Sequence, residues 1–198
     1  SDSIPLEETL EALGELVKQG KVRQIGLSNE TPWGTMKYLE LAETKSLPRV
    51  ASIQNAYNLV NRGFEIGLSE VAMHEQVGLL AYSPLAQGTL TGKYLGGQMP
   101  QGSRLALFGD GPLMMRYKGD KTQQAIEMYV NLAKKYEIDP AQLAIQFCNI
   151  QPFVTSTIIG ATTMEQLKTC IDSVDLNITK EIMNEIRGIH KEIPNPAP

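Results

Sequence analysis

The chain has 198 residues, 42% of them hydrophobic and 20% charged, with a net charge of -4, which suits one globular domain and excludes the strongly basic footprint of a nucleic-acid binder. No apolar run approaches the ~18 residues a membrane span needs, and no signal peptide is visible. Cys148 and Cys170, the only two cysteines, show neither CxxC nor framework spacing and point to a reducing cytoplasm. Ser1–Ser3 reads as the middle of a longer chain.

Residues 5–19 predict a helix, since Leu6, Leu10, Leu13 and Val17 recur at three- and four-residue spacing and Gly20 supplies a stop. Val22–Leu27 follows as a strand ending in Ser28-Asn29. Thr31-Pro32 opens a second helix, threonine as cap and proline in the first turn, with Met36, Leu39, Leu41 and Ala42 as its apolar stripe. Val50–Gln54 is a second strand, leading into Asn55-Ala56-Tyr57-Asn58. Phe64–His74 predicts a helix carrying Ile66, Leu68 and Val71, and Gly78–Tyr82 a third strand, apolar enough to be buried on both faces. The strand centres near Ile25, Ile53 and Leu80 lie about one βα unit (~30 residues) apart, so the pattern argues for a parallel sheet with helices outside.

After the third strand comes Ser83-Pro84-Leu85-Ala86-Gln87-Gly88-Thr89-Leu90-Thr91-Gly92-Lys93. Small residues let main-chain N–H groups approach an anion, hydroxyls donate, and lysine adds positive charge. Leu95–Asp120 breaks the rhythm with glycines at 96, 97, 102, 109, 111 and 119, prolines at 100 and 112, and interspersed Leu105, Phe108 and Met114-Met115. A stretch of that length without regular structure predicts a mobile lid, with a disordered segment as the alternative. Helices resume at Thr122–Tyr136 and from Asp139-Pro140 to Ile150, Phe153–Ile159 is a fourth strand, and Thr163-Met164-Glu165-Gln166 has capping-box spacing. Thr179–Lys191 is a last helix and Pro194–Pro198 a tail. Ser28-Asn29, Gln54-Asn55, Tyr82-Ser83 and Gly160-Ala161-Thr162 thus close four parallel strands, where ligand groups gather in α/β folds. Four such units amount to half of an eight-stranded barrel. His74 and His190 have no metal-ligand partners at useful spacing, so no metal is expected.

The motif order Gly20–Asn29, Gln54–Asn58, Tyr82–Leu85 with Gly88–Lys93, then Ile159-Gly160-Ala161 with Gln166-Leu167 resembles the aldo-keto reductases along essentially the whole chain, in particular their Tas-like bacterial branch near the potassium-channel β-subunits. The resemblance implies a TIM (β/α)8 barrel, of which this chain supplies roughly the C-terminal half, strands 5–8 with their helices. It implies NADP(H) as cofactor, NAD less so, and reduction of an aldehyde or ketone by hydride transfer. By position, Ser28, Asn29 and Gln54 match residues that hydrogen-bond the nicotinamide carboxamide, and Tyr82 matches the ring that stacks on the nicotinamide. Ser83, Pro84, Leu85, Gln87, Gly88, Leu90, Gly92 and Lys93 match the loop over the pyrophosphate, followed by Arg104 as a basic residue. Gly160, Ala161, Thr162 and Gln166 match the adenosine-phosphate end, and Cys170 its adenine side.

Two positions depart from the family pattern. Thr162, Thr163 and Met164 stand where many members carry a basic residue for the 2′-phosphate, and Cys170 stands where asparagine is usual. The family's catalytic Asp, Tyr, Lys and His belong to the first four strands, so the resemblance places no catalytic residue in this chain. The expected partners are a small carbonyl substrate and either an N-terminal half-barrel or a second copy of the chain. A noncatalytic, nicotinamide-sensing interaction module is the alternative, and a phosphate-binding barrel enzyme of another family a weaker one.

Overall fold

The computed structural model describes residues 4–109 and 111–198; Ser1–Ser3, with the reading attached to them, and Asp110 lie outside the described residues. The chain divides into two compact units: residues 1–55, 64–80 and 152–155 form the first, and residues 56–63, 81–151 and 156–198 the second. The described strands are β1 (Ile25–Ser28), β2 (Val50–Ala56), β3 (Gly78–Tyr82) and β4 (Val154–Thr157), hydrogen-bonded in that order in one sheet. β1 and β2 are parallel, with Ser28 opposite Gln54. Along β3 and β4 the Leu79 N–H donates to Phe153 O at 2.9 Å and the Ile158 N–H to Ala81 O at 2.8 Å, partners that advance together as parallel strands require. β3 has the limits read from the sequence, whereas β1 begins three residues later than expected, at Ile25, and β4 covers only the middle of Phe153–Ile159.

In the first unit, α1 (Leu6–Lys18) buries Leu10 completely and sets Gly14 against the Pro48 ring. The next helix, α2 (Pro32–Thr44), is capped as expected, Thr31 Oγ1 accepting the Gly34 N–H at 3.0 Å. Its inner face differs: Thr35, Tyr38, Leu39 and Ala42 are buried and Met36 is exposed. Hydropathy does not reveal Thr35 as a core residue, because its hydroxyl is satisfied locally by the Thr31 carbonyl at 2.8 Å.

The expected helix over Phe64–His74 is interrupted. Gly63–Glu65 forms a 3₁₀ turn, Gly67 adopts φ +84°, and α3 runs from Leu68 to Glu75. A side chain at Gly67 would be strained by that φ and would stand 3.2 Å from the Pro32 ring, so chain reversal and close approach both demand glycine there. The break turns Ile66 outward and leaves Phe64, Leu68 and Ala72 as the buried set, with the Phe64 ring 5.5 Å from that of Phe153.

In the second unit, α6 (Asp120–Lys135) and α7 (Pro140–Asn149) supply the core. Asp139 caps α7 by accepting the N–H groups of Ala141 and Gln142 at 2.7 and 3.1 Å. Phe147 on α7 stacks on Tyr57 at 5.7 Å between ring centres, both rings fully buried. Cys148 is equally enclosed, its thiol donating to the carbonyls of Ala144 and Tyr57, and burial pushes its pKa far up, so it behaves as a small core hydrophobe.

The stretch expected to lack regular structure carries a 3₁₀ turn at Leu95–Gly97 and two short helices, α4 (Arg104–Phe108) and α5 (Pro112–Met115). Met114 and Tyr117 are buried while Met99, Leu107, Phe108 and Met115 are exposed. The glycines and prolines mark the joints between these pieces, and the Ser103 cap, accepting the Ala106 N–H at 3.3 Å, starts α4. After β4 come α8 (Met164–Asp172), a 3₁₀ turn at Ser173–Asp175, and α9 (Lys180–Glu192), with Thr179, expected as the first residue of that helix, serving as its cap.

The last residues are not a loose tail. The Arg62 N–H donates to Asn195 Oδ1 at 2.7 Å, the Thr122 hydroxyl to Pro196 O at 2.7 Å, and the Ala197 N–H to Val60 O at 3.1 Å, with Ala197 buried. Prolines at 194, 196 and 198 limit the unfolded alternatives of this strap. Removing residues 194–198 is expected to cost about 2–4 kcal/mol of stability at ~1 kcal/mol per lost hydrogen bond, read as a lower urea midpoint. An unchanged midpoint would show that the strap holds nothing.

Candidate cofactor site

The residues read as nicotinamide-binding fall in both units, and each group is coherent within its own. In the first unit, Ser28 ends β1 beside Gln54 on β2, and the Asn29 N–H donates to the Gln54 carbonyl at 2.9 Å. Asn29 takes φ +53°, a conformation asparagine tolerates better than most residues, and its amide donates to Ser28 Oγ at 3.3 Å. One residue on, the Asn55 amide donates to Glu30 O at 3.2 Å and holds the β1–α2 turn. The strand ends therefore bring Ser28, Asn29 and Gln54 together, two amides and a hydroxyl that both donate and accept.

In the second unit, Tyr82 closes β3 and the backbone reverses at once. Ser83 has φ +54°, Ala86 +49°, Gln87 +59°, Gly88 +92° and Gly92 +80°. Leu85, at φ -91° and ψ 9°, followed by left-handed Ala86 makes one right-to-left step of the kind that cups an anion, and Gln87 and Gly88 continue left-handed. Part of the loop's donor set is already engaged: Ala86, Gly88, Leu90 and Gly92 N–H groups bond to carbonyls within it. The hydroxyls of Thr89 and Thr91 donate to Ala86 O and Gly88 O, both at 2.8 Å, so they lock the loop's shape rather than serve as anion donors. A Cβ on Gly88 would stand 3.0 Å from Lys93 Cε and 3.1 Å from its Nζ, so the glycine keeps the lysine against the loop. That ammonium lies 5.2 Å from the centre of the Tyr94 ring.

Arg104 is drawn into the same cluster, because its guanidinium donates to Gln87 Oε1 while Gln87 Nε2 donates to Ser83 Oγ at 2.9 Å. Pro84 and Leu90 are buried beneath the loop, and Leu85 is half-buried. One cation thus sits on the loop and a second is bonded to it from α4.

The phosphate end read from the sequence is less developed. Gly160, Ala161 and Thr162 are exposed at the start of α8, where Thr163 caps the helix by accepting the Gln166 N–H at 3.2 Å. Gln166 turns its Oε1 back to the N–H and hydroxyl of Thr162, at 3.0 and 3.1 Å, a capping box displaced by one residue. Cys170 is buried on α8, its thiol pKa raised by desolvation and by the Asp139 carboxylate. Among the described residues no cluster of three or more His, Cys, Asp or Glu side chains could hold a metal ion, and no helix is long and apolar enough to cross a membrane.

Two contributors escaped the sequence reading. Asn58, fully buried, donates from Nδ2 to Ser83 O at 3.0 Å, and Tyr117 is buried near both Asn58 and Tyr82. Asn58 carries a weak signal, an asparagine just past a strand end, where Asx turns form. Tyr117 carries none.

The chain is similar to known proteins. Residues 2–191 match the Aldo/keto reductase family. The chain is 50% identical to Protein tas of Escherichia coli (strain K12), over all of this chain and 57% of that protein. It is 40% identical to an aldo-keto reductase of Babesia bovis, over 98% of this chain and 70% of that one, and 34% identical to L-glyceraldehyde 3-phosphate reductase of E. coli (strain K12), over 90% and 51%. The chain therefore spans a little over half the length of Protein tas and about half that of the glyceraldehyde-phosphate reductase. With its parallel sheet, polar strand ends and a match along nearly its whole length, the chain belongs to the aldo/keto reductase family and supplies roughly the C-terminal half of its barrel fold.

Proposed function

We propose that these residues bind NADP(H) for a protein that reduces an aldehyde or ketone. The observation that carries this reading is the Ser83–Lys93 loop with its chain of contacts from Arg104 through Gln87 to Ser83. It is preformed, it carries Lys93 and is bonded by Arg104 from α4, and its glycine at 88 lets the lysine lie against the backbone. Those properties fit a pyrophosphate. Ser28, Asn29 and Gln54 would bind the carboxamide, the Tyr82 ring would pack on the nicotinamide, and Gly160, Ala161, Thr162 and Gln166 would meet the adenosine phosphate. Bound NADPH supplies a hydride to the carbonyl carbon; this chain's part is to hold and orient it, the proton-donating group belonging to the whole protein. One relative is named as a reductase of a phosphorylated aldehyde, and a small carbonyl compound is the proposed substrate class here too.

Titrating the protein with NADPH and following nicotinamide fluorescence tests the reading. Binding is expected, and Tyr82→Ala and Arg104→Ala are each expected to weaken it about tenfold, the arginine's effect shrinking at high salt. No binding up to millimolar NADPH would overturn it. Binding by the whole protein with no reduction of any aldehyde or ketone would favour a sensing module instead.

Gly88→Ala is expected to destabilise by about 1–2 kcal/mol through left-handed strain and to displace Lys93, so thermal melting and NADPH affinity fall together. Loss of neither would mean that the loop does not depend on that glycine.

The exposed Leu107, Phe108 and Met115 would gain by closing over a bound molecule. Limited proteolysis between Leu95 and Asp120 is therefore expected to slow on adding NADPH, and an unchanged cleavage rate would remove the lid from the proposal.

A further inference from the structure

The backbone step from Tyr82 to Ser83 is gripped at both of its carbonyls. The Tyr57 N–H donates to Tyr82 O at 3.3 Å, and Asn58 Nδ2 donates to Ser83 O at 3.0 Å. Asn58 is itself immobilised. It has no exposed surface, and its Oδ1 accepts the N–H groups of Val60 and Asn61 at 3.0 and 2.9 Å. Its backbone N–H and carbonyl also pair with those of Asn61, at 3.0 and 3.1 Å, in an isolated antiparallel bridge. The tight turn so formed is tied on at Val60 and Arg62 by the C-terminal strap.

The remaining capacity of the amide faces Tyr117, whose phenol lies within hydrogen-bonding reach of Asn58 and close to Tyr82. Burial pushes the Tyr117 pKa up, partly offset by the Arg116 charge and by the hydrogen bond from Asn58. Ser83 O also accepts the Ala86 N–H at 2.9 Å, so Asn58 supplies one of two bonds on that carbonyl, and its loss would loosen Ser83, a non-glycine residue at φ +54° held only by what surrounds it.

We propose that Asn58 is a positioning residue, its side chain holding the left-handed turn at Ser83 and so the placement of the Tyr82 ring, with Tyr117 bringing the end of α5 into the same contact. This rests on the reading of Tyr82 as the ring that packs on the nicotinamide. An amide is needed because the position must accept two N–H groups and donate to a carbonyl and a phenol at once. No other side chain of that size does both.

Asn58→Asp keeps the acceptor atom and the shape but sets an oxygen against Ser83 O. Tyr117→Phe keeps the ring and removes only the hydroxyl, guarding against a failure of the first variant to fold. Two ligands are titrated into each protein: NADPH, and adenosine 2′,5′-bisphosphate, which lacks the nicotinamide. The expected result is NADPH binding weakened at least tenfold by Asn58→Asp and about threefold by Tyr117→Phe, with adenosine 2′,5′-bisphosphate affinity unchanged within twofold. A general loosening would weaken both ligands alike and overturn the proposal, as would unchanged NADPH affinity in both variants.

Backbone amide NMR of the ligand-free protein provides a separate arm. Asn58→Asp, or Tyr117→Phe should the first not fold, is expected to shift the Ser83 and Pro84-flanking signals most, and unmoved Ser83 and Leu85 amides would overturn the proposal on their own. If the parent protein binds neither ligand, the NADP(H) reading fails, while the NMR arm still decides whether Asn58 sets the turn.

Discussion

A strand that must turn within one residue and still present its last side chain at a fixed angle has to stabilise an unfavourable backbone. β3 meets that demand at Tyr82-Ser83. The non-glycine left-handed residues at 83, 86 and 87 are each disfavoured by roughly 1 kcal/mol or more. They persist because carbonyls and amides on every side are fixed: Tyr57 and Asn58 hold the start, and the Thr89 and Thr91 hydroxyls hold the middle. Gln87, itself held by Arg104, closes onto Ser83. Distributed over so many weak bonds, the loop is set before any ligand arrives, and binding then costs little ordering of its backbone.

The same principle explains the weight placed on apparently remote parts of the second unit. Tyr57 is positioned by stacking on Phe147, and Asn58 by the turn to Asn61. That turn is fastened to the chain end by Arg62, Val60 and their partners at Asn195 and Ala197. A substitution at the C-terminus would reach the loop through two short links, the Ala197 N–H on Val60 O, backbone to backbone, and the Arg62 N–H on the Asn195 side-chain oxygen.

Local rules were legible in the sequence and long-range ones were not. The caps at Thr31, Asp139 and Thr163 and the limits of β3 follow from short-range chemistry, and the structure has them. The polar strand ends at Ser28, Asn29 and Gln54 converge because strand register forces them to. What the sequence hid depends on partners far along the chain. Gly67 breaks a helix where Pro32 lies against it, whereas Thr35 was hidden for a local reason, its hydroxyl bonding four residues back. The last residues become ordered because a carbonyl at Val60, an N–H at Arg62 and a hydroxyl at Thr122 await them. Asn58 belongs to this class: its side chain donates to a carbonyl twenty-five residues away.

Charge is unevenly placed along the proposed cofactor site, and that bears on which dinucleotide it would prefer. Lys93 and Arg104 lie on the Ser83–Lys93 loop and just beyond it, whereas the start of α8 offers Thr162, Thr163 and Gln166 together with the exposed carboxylate of Glu165. The one cation on that helix, Lys168, is paired with Asp172 at 2.5 Å, and the Cys170 thiol is held neutral by burial. Electrostatic attraction from this chain is therefore strongest for a pyrophosphate. A 2′-phosphate would be met by hydroxyls and by the N–H groups of a helix already carrying a first-turn acid, each bond worth about half of a charge-assisted one. On the proposed reading, selectivity for NADP over NAD from these residues alone is modest, and it would rise sharply if a basic side chain replaced Thr162 or Met164.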